Sequence, residues 1–172
     1  MATQNLLNVL THVPAETGPV FWGPGDEMTF LATGEETGGA YFMALVSVMP
    51  GGGPPPHIQR REDESFYLLE GTLTLQAGGK TIHAAAGDFV HIPRGTVHSF
   101  RNTGDAKAKL LVVATPAGLE NFFAEAFYPA VDGAEPPTGF DEEFRQRAMA
   151  AAAKYGLELL PPTQEANSIK AG

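Results

Sequence analysis

A polar cluster bracketed by two glycines, Gly51 and Gly71, constrains this chain more than any other feature. It contains His57, Gln59 and Glu64, whose side chains all offer nitrogen or oxygen atoms to a metal ion. Side chains alternate between the two faces of a strand, so His57 and Gln59 project from the same face. A turn after Gln59 lets Glu64 enter the next strand facing the same way. The pattern predicts a β-structure with ligands gathered on one surface.

Three acidic residues compete for the role of the carboxylate, because Glu62 and Asp63 directly precede Glu64. Glu64 begins a run in which every second residue, Phe66 and then Leu68, shares its face of the strand. We therefore assign the carboxylate to Glu64 and predict that it lies beside His57 and Gln59.

A second cluster lies between Gly87 and Asn102, and its potential ligand is His98. A tight turn, Pro93-Arg94-Gly95, precedes this histidine, and Phe100 follows it on the same face. His91 is out of phase with His98, so we leave it out of the site, and we interpret His12 and His83 as ordinary histidines. Two imidazoles, an amide oxygen and a carboxylate would leave open positions on a six-coordinate ion.

The spacing of both clusters resembles the two motifs of the cupin superfamily. Every position of the second motif is met, from Gly87 through His98 to Asn102. The first motif is met except that Gln59 stands where a second histidine is usual, and only Glu64 leaves the six residues expected before Gly71. The likeness covers about residues 19–162. Within the superfamily, the chain is similar to the small single-domain group labelled quercetin dioxygenase-like.

The resemblance implies an all-β cupin jelly-roll barrel with two C-terminal α-helices. It also implies a homodimer and one divalent metal ion (Fe, Mn, Ni, Co or Zn) held by His57, Gln59, Glu64 and His98. Gln59 offers a neutral amide oxygen, which favours harder ions such as Mn²⁺ or Fe²⁺ over Zn²⁺ or Cu²⁺. An alternative is that Gln59 marks a barrel that has lost its metal.

The distribution of turns independently predicts one domain over residues 1–172, with a barrel at about 19–115. Glycine-rich turns separate short stretches that are rich in β-branched and aromatic residues, which is typical of a sandwich or barrel. The predicted strands include Ala40–Val48, Ser65–Leu69, Thr72–Leu75, Phe89–Ile92 and Leu110–Val113.

A helical extension is predicted at about residues 116–160, followed by a polar tail at 161–172. Its first helix is predicted to begin at Thr115-Pro116, a favourable N-cap and N1 pair. Its second helix is predicted from Asp141 to Tyr155, with Gly156 as the left-handed terminator. The apolar stripes of these helices, Leu119, Phe122, Phe123 and Ala126 and then Phe140, Phe144, Ala148, Ala152 and Tyr155, are predicted to pack on the core.

Composition narrows the function class. The net charge is −9, which disfavours nucleic acid as a partner. There is no cysteine, so neither disulfides nor thiolate sites form. No apolar run approaches the ~20 residues that span a bilayer. We therefore expect a cytoplasmic protein with neither nucleic acid nor membrane as its partner.

Two functions fit the predicted site, and both take a small molecule as substrate or ligand. The first is a metal-dependent, dioxygenase-like enzyme in which Glu64 acts as the base on a phenolic or enol-type substrate. Phe66, Leu68, Phe100 and Val48 would form the apolar wall of its pocket. The second is a barrel that binds or senses a ligand without catalysis. A sugar-type isomerase is a third interpretation, with Arg60, Arg61 and Arg94 as candidate phosphate ligands.

Overall fold

The architecture is given by a computed structural model that describes residues 10–132, 134 and 142–160. The strands are β1 (Val20–Gly23), β2 (Asp26–Ala32), β3 (Phe42–Val48), β4 (His57–Gln59), β5 (Asp63–Glu70), β6 (Thr72–Ala77), β7 (Lys80–Ala85), β8 (Phe89–Ile92), β9 (His98–Arg101), β10 (Ala108–Thr115), β11 (Tyr128–Pro129) and β12 (Leu157–Leu159). The helices are α1 (Gly34–Thr37), α2 (Leu119–Ala126) and α3 (Glu142–Tyr155).

The strands form two antiparallel sheets. The larger sheet has the order β11-β1-β2-β3-β10-β5-β8, and the smaller has the order β12-β4-β9-β6-β7. Side chains alternate in direction along β5 and β10, so every second one points toward the facing sheet and is buried. Phe66 of the larger sheet meets Phe100 of the smaller edge to face, with ring centroids 5.4 Å apart. This core confirms the predicted all-β jelly-roll barrel.

Helices α2 and α3 pack on the barrel through their apolar stripes. Phe123 of α2 contacts Phe42 of β3, and Phe127 after α2 contacts Phe144 of α3, with ring centroids 6.0 and 6.1 Å apart. Ala151 and Ala152 of α3 are buried in the same core. The described residues of both stripes therefore pack on the core as predicted. No described helix is both long enough and apolar enough to span a membrane.

The predicted start of the first helix is wrong, because α2 begins at Leu119 rather than at Thr115-Pro116. Thr115 remains in β10, where it pairs with Asp63 of β5. The helix is preceded instead by Gly118, whose backbone N–H donates to the carboxylate of Glu120 at 2.7 Å. The predicted boundary fails because the strand ladder extends through Thr115, which a local N-cap signal does not report.

The second helix ends at Tyr155, and Gly156 has a positive φ of 83°, as predicted. The predicted N-cap Asp141 and the stripe residue Phe140 lie outside the described residues. The chain then forms β12, which was not predicted and which pairs with β4. Helix α1 was also not predicted, although Thr33 and Glu36 form a capping box that the sequence displays.

Candidate metal centre

The two candidate imidazoles lie side by side on the smaller sheet. His57 of β4 and His98 of β9 are register partners, and their ring centroids are 4.1 Å apart. Both side chains are buried. Antiparallel pairing thus joins two histidines that are separated by forty residues of sequence.

Backbone carbonyls orient both rings. The Nδ1 atom of His57 lies 2.9 Å from the carbonyl oxygen of Pro55, and the Nδ1 atom of His98 lies 3.0 Å from that of Thr96. A carbonyl only accepts hydrogen bonds, so each Nδ1 carries the proton and donates it. This arrangement leaves each Nε2 as the ligand atom, the usual way in which metal-binding histidines are oriented.

Glu64 completes a three-residue cluster with these histidines. One ligand atom from each of His57, Glu64 and His98 lies within 4.8 Å of the others, and all three residues are buried. Glu64 reaches the centre from β5 of the opposite sheet, where Ala114 and Ile92 are its register partners. The carboxylate therefore closes the site from across the barrel.

The protonation of the two imidazoles differs because only one of them contacts the carboxylate. Burial, reinforced by the adjacent His98, lowers the pKa of His57 to about 4. Burial also pulls down the pKa of His98, but the hydrogen bond and the charge of Glu64 outweigh it and raise the pKa above its ordinary value. The Nε2–H of His98 donates to Oε2 of Glu64 at 3.1 Å. A metal ion binding at Nε2 would displace this proton.

Gln59 is also buried and lines the same cavity as His57 and Glu64. Its Oε1 atom has no hydrogen-bond partner among the described residues. A buried amide oxygen is nearly always paired, so an unpaired one beside two imidazoles and a carboxylate fits a ligand to a bound ion. The donor set of two histidines, one carboxylate and one carbonyl-type oxygen suits a first-row divalent ion.

A cavity of about 460 Å³ opens beside this cluster. Its volume lies within the range of small-molecule sites. Six phenylalanines from the barrel, from α2 and the residue after it, and from α3 contribute to its wall, namely Phe66, Phe100, Phe122, Phe123, Phe127 and Phe144. The cluster of potential ligands thus lies at the surface of a largely apolar cavity.

The structure separates the four predicted pocket residues into two pairs. Phe66 and Phe100 line the cavity. Val48 and Leu68 are completely buried and are not among the described residues that line it. Val48 lies at the end of β3, where its carbonyl accepts from Nδ2 of Asn102, and Leu68 pairs with Leu110 within the core.

Two groups of cavity residues were not predicted from the sequence. The phenylalanines of α2 and α3 were predicted as core residues. Their position on the apolar stripe of each helix also places them against the barrel. Asp26 lines the cavity as well. Asp26 is in phase with Met28 and Phe30 of β2, and this spacing could have predicted that its side chain points inward. It was not predicted as a site residue because it follows Gly25 in a turn.

The remaining predicted alternatives lie outside the cavity. His83 and His91 are exposed and interact with Thr74 and Ser65. Asp63 is paired with Arg94 at 2.9 Å, and Glu62 is buried away from the cavity lining. Glu64 is therefore the carboxylate that joins the cluster within the described part of the chain.

Asn102 and Gly71, the last residues of the two motifs, both have structural roles. The side chain of Asn102 donates to the carbonyls of Val48 and Ala106 and accepts from the N–H of Gly104. It thereby holds the loop that leaves β9. Gly71 has a φ of 75°, and a Cβ there would lie 2.9 Å from Cα of Ala108, so only glycine fits.

Comparison with known proteins identifies the family. The family model of the cupin domain matches residues 44–114. Quercetin 2,3-dioxygenase from Bacillus subtilis is 27% identical over 142 residues, which cover 83% of this chain and 42% of that protein. Germin-like protein subfamily 2 member 1 from Arabidopsis thaliana is 30% identical over 107 residues, which cover 49% of each. The chain thus spans half the length of these curated relatives or less.

A solved structure agrees with the family match. A predicted oxalate decarboxylase from Thermotoga maritima is 25% identical and superimposes with a TM-score of 0.57, covering 62% of this chain and 99% of that one. The matched segment 44–114 contains His57, Glu64 and His98. From the fold, the clustered ligands and these relatives, we conclude that the chain belongs to the cupin superfamily.

Proposed function

We propose that this cupin binds one divalent metal ion and oxidises a small phenolic or enol-type substrate with dioxygen. The observation that carries the proposal is the buried cluster of His57, Glu64 and His98 at an apolar cavity of about 460 Å³. Two histidines and one carboxylate with open positions are the ligand set of many non-haem iron oxygenases. The likeness to quercetin 2,3-dioxygenase supports the same reaction class.

The ligand set favours Fe²⁺ or Mn²⁺ as the resident ion. His57 and His98 would supply imidazole Nε2 atoms, Glu64 a carboxylate oxygen and Gln59 an amide oxygen. When bound there, a divalent ion supplies a Lewis acid that polarises an oxygen of the substrate. The amide and the carboxylate together shift the preference toward harder ions.

Glu64 has a second role in this proposal, as the base that accepts the proton of the substrate hydroxyl. Its Oε2 atom accepts a hydrogen bond from Nε2–H of His98. With an ion at Nε2 of His98, this oxygen would no longer accept that hydrogen bond and would be available to the proton of the substrate hydroxyl. The surrounding phenylalanines exclude water and provide flat surfaces for an aromatic ring.

The three arginines predicted as phosphate ligands do not favour the sugar-type isomerase. Arg60 pairs with Glu158, Arg94 pairs with Asp63, and Arg61 donates to the carbonyl of Lys154. None of these three lines the cavity in the described part of the chain. A phosphate group in the cavity would therefore lack the predicted partners.

We also propose that the protein is a homodimer that pairs through the outer face of its larger sheet. Tyr67 and Phe89 are register partners on that face, and their side chains are 45% and 64% exposed. Leu69, next but one along β5, is 40% exposed. Exposed apolar side chains that adjoin one another mark association surfaces. A second copy is the favoured occupant because this uncharged patch lets two chains of net charge −9 approach each other.

Oxygen consumption tests the proposed reaction. Fe²⁺- and Mn²⁺-loaded protein is offered catechol, quercetin and acetylacetone, and oxygen uptake is measured per bound metal. We expect uptake with at least one of these compounds and weak turnover of quercetin, because Gln59 replaces a usual histidine. Glu64→Gln should lower turnover about 10²-fold beyond any loss of metal. Glu62→Gln, which alters a buried carboxylate outside the cavity lining, is the matched control.

The same experiment distinguishes a binding barrel from an enzyme. A ligand that binds only the folded state raises thermal stability by mass action. If the compounds raise the melting temperature of metal-loaded protein without any oxygen uptake, the enzyme proposal is contradicted and the ligand-binding alternative is supported.

A further inference from the structure

The carboxyl of Asp26 is a polar group of the cavity that is separate from the cluster of His57, Glu64 and His98. Asp26 begins β2, where Met28 and Phe30 follow it on the inward face of the barrel. Asp26 and Met28 both line the cavity. The register partner of Asp26 on β3 is the completely buried Val48. The carboxyl is therefore set among apolar side chains.

One oxygen of this carboxyl lacks the partner that a buried polar atom normally has. Its Oδ1 atom is buried and has no hydrogen-bond partner among the described residues. Neither carboxyl oxygen forms an ion pair within 4.0 Å in the same part of the chain. Burying a polar group without a hydrogen bond costs free energy, so such groups usually have a role or an external partner. Burial also raises the pKa of Asp26 to about 7.

Asp26 lies at the opposite end of the barrel from His98. The carbonyl of Gly25 accepts from the N–H of Met49, and the carbonyl of Gly52 accepts from the N–H of Asn102. These bonds place the β1–β2 turn beside the loop at the Asn102 end of β9. His98 begins β9 four residues earlier, which corresponds to roughly 13 Å along a strand.

We propose that Asp26 is a second polar anchor of the cavity, which binds a hydroxyl group at the far end of a two-ring phenolic ligand. The near end of that ligand lies at the His57, Glu64 and His98 cluster. This inference rests on the proposed function and specifies its substrate class. A single phenol ring is too short to contact both polar groups, whereas two linked rings also fill the phenylalanine-lined space between them.

Two matched compounds test the role of Asp26. They are 4-phenylcatechol and 4-(4-hydroxyphenyl)catechol, which share the metal-binding end and differ only in the distal hydroxyl. Their affinities are measured by calorimetry without oxygen on metal-loaded protein. We expect the wild type to bind the hydroxylated compound about tenfold more tightly, which corresponds to about 1.4 kcal/mol.

Two variants of Asp26 then identify the partner of that hydroxyl. Asp26→Leu and Asp26→Ala should bind both compounds equally and should bind 4-phenylcatechol as tightly as the wild type does. Glu27→Gln, which alters the exposed carboxylate next along β2, should keep the tenfold preference. The Ala variant provides the answer if the larger leucine prevents folding.

The outcomes separate this inference from the proposal on which it rests. Equal affinity of the wild type for the two compounds, or a preference that persists in either folded variant, overturns the role of Asp26 and leaves the metal-bound phenol intact. Failure of metal-loaded wild type to bind either compound overturns both.

Discussion

At the scale of single residues, one substitution within the proposed ligand set should govern how tightly a metal ion binds. Gln59 presents a neutral amide oxygen where an imidazole nitrogen is usual in the family. The barrel keeps this side chain buried and aligned with His57 on β4. The strand geometry of the site is therefore preserved, and only the donor atom is changed.

Restoring the usual donor should strengthen metal binding. We expect Gln59→His to lower the dissociation constant for Zn²⁺ or Ni²⁺ by at least tenfold, because imidazole is a stronger donor than an amide toward these ions. Competition titration with a chromophoric chelator measures the change, and Gln76→His on β6 provides the matched control. Unchanged affinity in Gln59→His would show that residue 59 does not contact the ion.

The raised pKa of Asp26 makes a second prediction, which concerns stability. Burial raises this pKa from 3.8 to about 7, so the folded state retains a proton that the unfolded state has lost between those values. The contribution of this group to the free energy of unfolding therefore falls as the pH rises from 3.8 toward 7 and stays constant above pH 7. Asp26→Asn removes the effect.

We expect Asp26→Asn to raise the melting temperature at pH 8 by several degrees more than at pH 5, since ~1 kcal/mol corresponds to about 2–4 °C at this chain length. Thermal unfolding followed by circular dichroism measures the difference, and Glu27→Gln should show no such dependence. An equal shift at both pH values would mean that the carboxyl is not desolvated.

Residue spacing predicted the cluster but not the whole cavity. His57 and Glu64 were identified because strand alternation fixes which face they share. Asp26 was missed because its importance comes from facing Val48 and the apolar cavity, and these contacts depend on strand pairing. A pairing between distant strands leaves no periodic signal in a single sequence.

At the scale of elements, the C-terminal segment supports β4, the strand that carries two of the proposed ligands. Strand β12 pairs with β4, so that Leu157 faces Gln59 and Leu159 faces His57. The N–H of Arg60 also donates to the carbonyl of Gly156 at 2.9 Å. Without β12, β4 would lose one of its two neighbours and its edge would be open to water.

Truncation tests this support. A chain that ends at Gly156 lacks β12 but keeps all four proposed ligands, and we expect it to bind metal at least tenfold more weakly. A chain that ends at Leu160 keeps β12 and should bind as the full chain does. Metal titration of the two shortened proteins measures the difference. Equal affinity would show that β4 holds its ligands without β12.

The elements themselves were predicted unevenly, for physical reasons. The strand Phe89–Ile92 was predicted with its observed bounds, because turn residues flank it on both sides. Strand β12 was missed because its three residues follow directly on a helix. Its existence depends on the open edge of β4, which is a property of the folded barrel.

At the scale of the whole molecule, the two sides of the larger sheet serve different purposes. The inner side contributes Phe66 and Glu64 to the cavity, whereas the outer side exposes Tyr67, Leu69 and Phe89. Strand alternation separates these roles, so the proposed dimer face and the proposed active site do not compete for the same residues.

A charge on the outer face should disrupt the dimer. We expect the wild type to sediment with twice the mass of the chain and Phe89→Lys to sediment as a monomer with its metal retained. Val131→Lys, at an exposed apolar residue elsewhere, should remain dimeric. A monomeric wild type, or a dimeric Phe89→Lys, would exclude this face as the interface.

The location of the bound metal tests the central claim most directly. Crystals of protein loaded with Mn²⁺ or Fe²⁺ are measured at the absorption edge of the metal, and an anomalous difference map is calculated. The account predicts one peak per chain at about 2.1 Å from Nε2 of His57 and of His98, in contact with Glu64 and Gln59. Loaded protein without a peak at this cluster, or with its peak elsewhere, would contradict the account.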